Sequence, residues 1–337
     1  MQDSAMSTLK RRAPALVALT IAALVAAPAL LTLAAFADGG AAPAGLAAMT
    51  ATTLTLAAAT ALIAIVFGVA AALLVGLCDF PGRRIMAVAL AAPLAVPAYV
   101  AIYAYSDALS PFGTVASLLD AERAPFGARN FWGAAIALGA TSYPYVYLAA
   151  RAALASRSAA MFEAARSLGA SPMRAMAMIV APGLRPAIAG GAALVMMETA
   201  ADFGVADYSG LSTLGVGIFR AWYGLGDLAG ATRVAGVLFL VALLLALIEE
   251  RARRGSASDA ARAMRAAERL RLSPAAVFLA ICVCASPVLL GFIAPVAQLL
   301  FHVSSASPAP LLEAARNTVL IALPGALLVV AIAMFLA

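Results

Sequence analysis

Apolar residues in this chain come in long unbroken stretches rather than at alternate positions, and short clusters of Arg, Pro, Gly and Ser separate them. A helix needs about 20 such residues to cross the hydrocarbon of a bilayer. Seven stretches reach that length: residues 13–36, 48–77, 85–106, 131–150, 186–206, 229–248 and 274–302. An eighth begins near Thr318 and runs to Ala337 with no charged flank, so the sequence reads as stopping inside a helix. The expected fold is all-α, a polytopic transmembrane helix bundle of seven complete helices and the start of an eighth.

Composition narrows the class. Of the 337 residues 65% are apolar and 11% charged, with a mean hydropathy of +1.01, whereas about a quarter of a soluble domain is charged. The 22 basic and 16 acidic residues cannot cover the surface of a soluble protein of this length, which excludes an ordinary cytoplasmic enzyme. The net charge of +6 does not point to nucleic acid, because the basic residues fall in short runs between apolar stretches. Those runs orient the chain. With the N-terminus in the cytoplasm, Lys10, Arg11, Arg12, Arg83, Arg84, Arg151, Arg157, Arg166, Arg174, Arg185 and the arginines from 251 to 271 all lie inside, as the positive-inside rule expects.

The first stretch has a rival reading as a secretory signal, since Lys10-Arg11-Arg12, an apolar run and Ala35-Phe36-Ala37 stand in that order. Its length, and a basic-flanked counterpart at 274–302, favour an uncleaved helix. That counterpart belongs to an internal repeat. Thr53-Leu54-Thr55-Leu56 aligns with Thr318-Val319-Leu320-Ile321 at an offset of 318 − 53 = 265 residues, and an even number of intervening helices makes the two copies parallel. The expected organisation is an N-terminal tail, helix and outer loop (1–47), a first membrane domain (48–250), a basic cytoplasmic linker (251–273) and the start of a second, truncated repeat (274–337). The native chain is expected to continue beyond Ala337 to a second docking loop.

The loop between the fourth and fifth stretches, 158–182, is too polar to span and too apolar to be free. It reads as two short helices on the cytoplasmic face. Gly169 stops the first; Ser171 as N-cap and Pro172 at the next position start the second. Ala164 and Ala165 leave a smooth surface beside the acidic Glu163, one turn from Arg166.

This spacing resembles the EAA loop of ABC-importer permeases, in which Glu-Ala-Ala is followed by Gly and then by Ile and Leu-Pro. Glu163, Ala164, Ala165, Gly169, Ile179 and Pro182 match, and Ala181 departs from the usual Leu. The flanking segments Tyr143-Pro144-Tyr145-Val146-Tyr147, Met197–Gly204 and Gly217–Asp227 resemble the fused two-half permease of bacterial ferric iron importers. The resemblance implies the type I ABC importer fold in the bacterial inner membrane, a loop that docks on a cytosolic ABC ATPase dimer, and a periplasmic substrate-binding protein as second partner. It implies that this chain is not itself an enzyme and binds no cofactor, ATP being used by the partner. The implied substrate is ferric iron, with thiamine, a polyamine or another small solute as alternatives.

Glu198 and Asp202 are spaced i, i+4 in an apolar stretch. Such carboxylates either line a translocation pathway or belong to a structural network with Arg220, Arg233 or nearby hydroxyls, and the sequence leaves both open. Tyr143, Tyr145 and Tyr147 read as helix packing rather than metal ligands. Cys78, Cys282 and Cys284 read as small hydrophobes, and His302, the single histidine, does not make a metal site.

Other classes fit less well. Lys10 is the only lysine and stands outside any phosphate-binding loop, so a self-contained ATP-driven pump is excluded. No His-Glu-x-x-His or comparable cluster marks a membrane enzyme. An ion-coupled secondary transporter could use Glu198 and Asp202 but leaves the 158–182 loop unexplained.

Overall fold

The computed structural model describes residues 43–111, 113–118, 127–171, 181–257, 270–303 and 308–336, with single positions at 174 and between 20 and 34. Residues 41–299 form one compact unit, and residues 1–40 together with 300–337 another. The expected first helix, 13–36, falls largely outside the described residues.

In the larger unit, α1 (Leu46–Leu77) is a 32-residue helix, close to the expected 48–77. Its threonines are tolerated because they bond within the helix: Thr50 and Thr53 donate to the carbonyls of Leu46 and Met49. A two-residue strand β1 (Cys78–Asp79) follows, paired in parallel with β2 (Leu270–Arg271). This small bridge ties the end of α1 to the residues just before Pro274, and departs from the all-α expectation.

The stretch 85–106 is not one straight span. It divides into α2 (Arg83–Ala89), a 3-10 turn (Ala92–Ala95) and α3 (Ala98–Ala108), bent by 90° at the break. Pro93 and Pro97 cause this: neither has an N–H for a helix ladder, and Val96, ahead of Pro97, is extended at φ −102° and ψ 113°. After a short α4 (Thr114–Leu118), α5 runs unbroken from Phe131 to Ser167, 37 residues with Pro144 inside.

The span expected at 186–206 starts earlier and stops earlier, as α6 (Ala181–Ala201) followed by α7 (Gly204–Tyr208). Next come α8 (Leu214–Phe219), a π-helical turn (Arg220–Gly224) and α9 (Leu228–Ala257). The last apolar stretch of this unit starts at α10 (Pro274–Val288), passes through a second π-helical turn (Leu289–Ile293) and continues as α11 (Ala294–Val303). In the smaller unit, α12 (Pro308–Leu336) begins ten residues ahead of Thr318.

Among the described residues four helices are long and apolar enough to cross a membrane: Leu46–Leu77, Leu228–Arg251, Pro274–His302 and Leu312–Met334, with the bent pair a fifth if it counts as one span. The stretches 131–150 and 186–206 are helical but stand outside that set. Their positions explain it. α5 packs against both α1 and α6, which also pack against each other, with Ala134, Ala135, Ala137, Leu138, Thr141, Ser142, Tyr143, Val146 and Tyr147 buried, so much of its surface meets other helices and need not match lipid.

Small residues let these helices approach closely. A Cβ on Gly68 of α1 would stand 2.9 Å from both the Tyr147 nitrogen and the Val146 Cβ, and one on Gly191 of α6 would stand 2.9 Å from the Val146 Cα. Val146 is therefore approached closely by glycines on two neighbouring helices. Around it Tyr143, Tyr147, Val75 and Cys284 form the core at that level. Leu56, Ile102, Leu138 and Val205 form a second core.

Candidate functional site

The loop 158–182 is built differently from its sequence reading in one respect. Its first helix is not separate: Glu163, Ala164 and Ala165 lie in the backbone of α5 itself, which continues to Ser167. Nothing between Arg151 and Ser167 breaks a helix, since the segment is rich in Ala and has no Gly or Pro. The stop falls at Gly169, whose φ of +87° is the left-handed conformation that ends helices. Leu168 beside it is 87% exposed. On the far side the Arg174 N–H donates to Ser171 Oγ at 3.3 Å, the bond of an N-cap. Pro172 and Ile179 lie outside the described residues, and Pro182 occupies the second position of α6. The residues between Ser167 and Ala181 thus connect the ends of two long helices, α5 and α6.

Below that end two helix termini are closed by side chains. The carbonyl of Ala87, in the last turn of α2, accepts from Tyr147 Oη at 3.0 Å and from Arg151 Nη1 at 3.1 Å. Arg83 Nη1 donates to the Val75 carbonyl at 3.1 Å, and its Nε stands 3.8 Å from Asp79 Oδ1. Both carbonyls lack a partner within their own helix. Tyr143 and Tyr147 are fully buried, Tyr143 edge-on to Phe67 at 6.1 Å, while Tyr145 is half-buried.

Glu198 and Asp202 have different surroundings. Glu198 is exposed on α6. Asp202 lies one residue past the end of α6, where its Oδ1 accepts from the Val205 N–H at 2.8 Å and so caps α7. That carboxylate has a structural task which the i, i+4 spacing does not convey, although the run from Asp202 to Val205 carries the cap signal. Asp227 does the same for α9, accepting from Gly230 at 2.8 Å.

Beside Asp202 lies a run of rings that sequence reasoning missed. Phe203 meets Phe219 at 4.7 Å, Phe219 meets Tyr223 at 4.8 Å, and Tyr223 stacks on Trp222 at 4.8 Å. The π-helical turn makes this possible by changing the angular step between successive side chains. Nearby on the chain, Tyr103 and Tyr208 approach to 4.1 Å, with the Arg129 guanidinium 4.8 Å above the Tyr208 ring. Among the described residues no group of three or more His, Cys, Asp and Glu side chains is placed to hold a metal ion.

Residues 64–253 match the family model of the binding-protein-dependent transport system inner membrane component. The chain is 30% identical over 154 residues to the probable sulfate transport system permease protein cysT of Nephroselmis olivacea, covering 46% of this chain and 54% of that one. It is 24% identical over 166 residues to the Fe(3+)-transport system permease protein FbpB 2 of Haemophilus influenzae, covering 49% of this chain and 30% of that one. The chain thus spans about half the length, or less, of the curated relatives it first matches. Its fold is similar to that of a bacterial ABC transporter chain involved in the import of the acidic polysaccharide alginate, at a TM-score of 0.55 and 17% identity, over 74% of this chain and 99% of that one.

Proposed function

This chain belongs to the family of inner membrane components of binding-protein-dependent transport systems, and on that premise we propose that it forms the translocation pathway of an ABC importer driven by a separate ATPase. The observation that carries the reading is that the family match, 64–253, contains the whole of the 158–182 loop. A long helix that ends in a left-handed glycine beside an exposed leucine is a shape suited to sitting in a groove of another protein. In this reading Glu163, Ala164, Ala165 and Gly169 dock on the ATPase, with Ile179 and Pro182 supporting the second half of the turn. Closure of the ATPase pair tilts α5 and α6 and opens the pathway to alternate sides, while a periplasmic binding protein delivers the solute. The N-terminus lies in the cytoplasm, in keeping with the distribution of arginines.

The solute is a small ion. Ferric iron follows from the resemblance of the segments around the loop and from the Fe(3+) permease among the relatives. A second reading, an oxyanion, is favoured by the relative named as a sulfate permease and by Asp202 being engaged as a helix cap. Glu198 remains the pathway candidate, because an exposed carboxylate on a membrane helix faces water or a partner rather than lipid.

The test is co-purification and uptake in cells that carry the neighbouring ATPase and binding-protein genes. Glu163→Arg and Gly169→Asp are expected to leave membrane insertion intact while abolishing ATPase association and uptake. Undiminished association in both variants would overturn the docking assignment. Uptake of radiolabelled ferric ion set against radiolabelled sulfate separates the two solutes.

A further inference from the structure

A cleft of 440 Å³ opens at the end of the bundle opposite the 158–182 loop, where α3 ends and α5 begins. Its walls are Tyr105 and Leu109 on one side, Ala128, Trp132 and Ile136 on another, and Leu290 of the second π-helical turn at the back. The volume is that of a small-molecule site. Two polar groups on the walls are occupied: Tyr105 Oη donates to the Leu290 carbonyl, and Asn130 Oδ1 accepts from the Gly133 N–H at 3.0 Å. The remaining lining is mainly hydrocarbon and aromatic ring, which suits an apolar occupant.

The rim has a different character. Trp132 is 65% exposed, and Arg129, between the lining residues Ala128 and Asn130, is exposed as well. Arg129 is held in place by its Nε–H, which donates to the Tyr208 carbonyl at 3.0 Å, and by the Tyr208 ring beneath it. Among the described residues its two terminal nitrogens have no partner, so the residue between two lining positions carries a fixed, exposed guanidinium. Guanidinium forks suit phosphate, and tryptophan favours the level where headgroup meets hydrocarbon.

We propose that the cleft is a phospholipid site, with one acyl chain between α3, α5 and the Leu289–Ile293 turn and the anionic phosphate on Arg129. Bilayer lipid is the occupant because the chain belongs to an inner membrane family, and because an apolar slot with a cation at its lip complements a lipid anion in both its parts. The inference does not depend on which solute is carried, or on whether the 158–182 loop docks on an ATPase.

Trp132 reports on the site directly, since Trp222 is the only other tryptophan. In nanodiscs, the Trp222→Phe chain is expected to lose most of its fluorescence at a low mole fraction of phosphatidylglycerol brominated on its acyl chain, with brominated phosphatidylcholine needing at least a threefold higher fraction. Arg129→Gln should abolish that headgroup preference without changing the maximal quench. Ala128→Leu with Ile136→Phe, which fills the slot, should return quenching to the bulk mole-fraction curve shown by a Trp132→Phe chain that keeps Trp222. The proposal fails if Trp132 follows that bulk curve from the start, if a water-soluble quencher reaches it as readily as the lipid does, or if neither quencher reaches it because protein covers the slot. Arg129→Gln is a surface change, so it keeps the test decisive if the filled variant does not fold.

Discussion

Gly291 rests on the main-chain oxygen of Ala140 so closely that a methyl group in its place would overlap that atom. The contact has a cause in α5. Pro144 has no N–H to give to the carbonyl four residues back, which is that of Ala140. The freed oxygen meets the Cα–H side of a glycine on the second π-helical turn, a weak but favourable pairing. The Tyr105 hydroxyl donates to Leu290 one residue away, and Gln298 Nε2 donates to Asp107 Oδ2 at 2.6 Å further along.

Gly291→Val should cost about 1–3 kcal/mol, the usual range for overpacking a closed contact. Thermal unfolding in detergent reads this. Gly325→Ala, where no described atom lies within 4 Å, serves as the reference and should hold or raise stability, by up to about 1 kcal/mol from helix propensity. Equal melting temperatures for the two variants would mean that α10 does not depend on this contact.

Tyr147→Phe and Arg151→Ala should be more than additive. Either side chain alone still satisfies the Ala87 carbonyl, so each single change loses one bond, about 1 kcal/mol. Removing both orphans the carbonyl, and the double variant should exceed the sum of the singles by a further ~1 kcal/mol, a coupling read from a double-mutant cycle. Simple additivity counts against shared capping.

Asp202→Asn keeps an acceptor for the Val205 N–H, whereas Asp202→Ala removes it. The expected order is a near-parental melting temperature for Asn and a loss of about 1 kcal/mol for Ala. In uptake assays Glu198→Gln should be the more damaging neutral substitution. If Asp202→Asn abolishes uptake while melting normally, the carboxylate belongs to the pathway after all.

Among the described residues no atom lies within 4 Å of where a Cβ on Gly169 would stand, so within this chain a substitution there acts through backbone strain. Gly169→Ala should cost about 1–2 kcal/mol of the left-handed turn, and Gly169→Asn less, because Asn visits that region more readily. ATPase stimulation should follow the same order. Equal stimulation by both would show that the turn does not need its glycine.

Much of the helical plan could be read from the chain, and the departures have local causes. Apolar length alone located α1 and α9 to within a few residues at their starts, because lipid-facing helices need uniform apolarity. The same criterion hid the bend at 85–106, although Pro93 and Pro97 stand in the sequence as the signal. It also treated α5 as ending near Ala150, since polarity rises there while helix propensity does not fall. The site was less legible. Gly169 and Ser171 declared their roles through residue type, but the Asp202 cap was masked by its spacing from Glu198. The ring stack at 203–223 needed a π-helical turn that no short pattern announces.

The 37 residues of α5 make a rod about 55 Å long at 1.5 Å per residue, and Gly68 and Gly191 grip it at Val146. Val146 is not at the middle: one arm, to Phe131, is about 22 Å, and the other, to Ser167, about 32 Å. A rod held off-centre behaves as a seesaw. Tilting the Ser167 end by about 3 Å swings the Phe131 end about 2 Å the other way, in proportion to arms set by the helical rise. Pro144 sits two residues from that fulcrum, where a bare helix would fold like an elbow, and the two glycine contacts splint it.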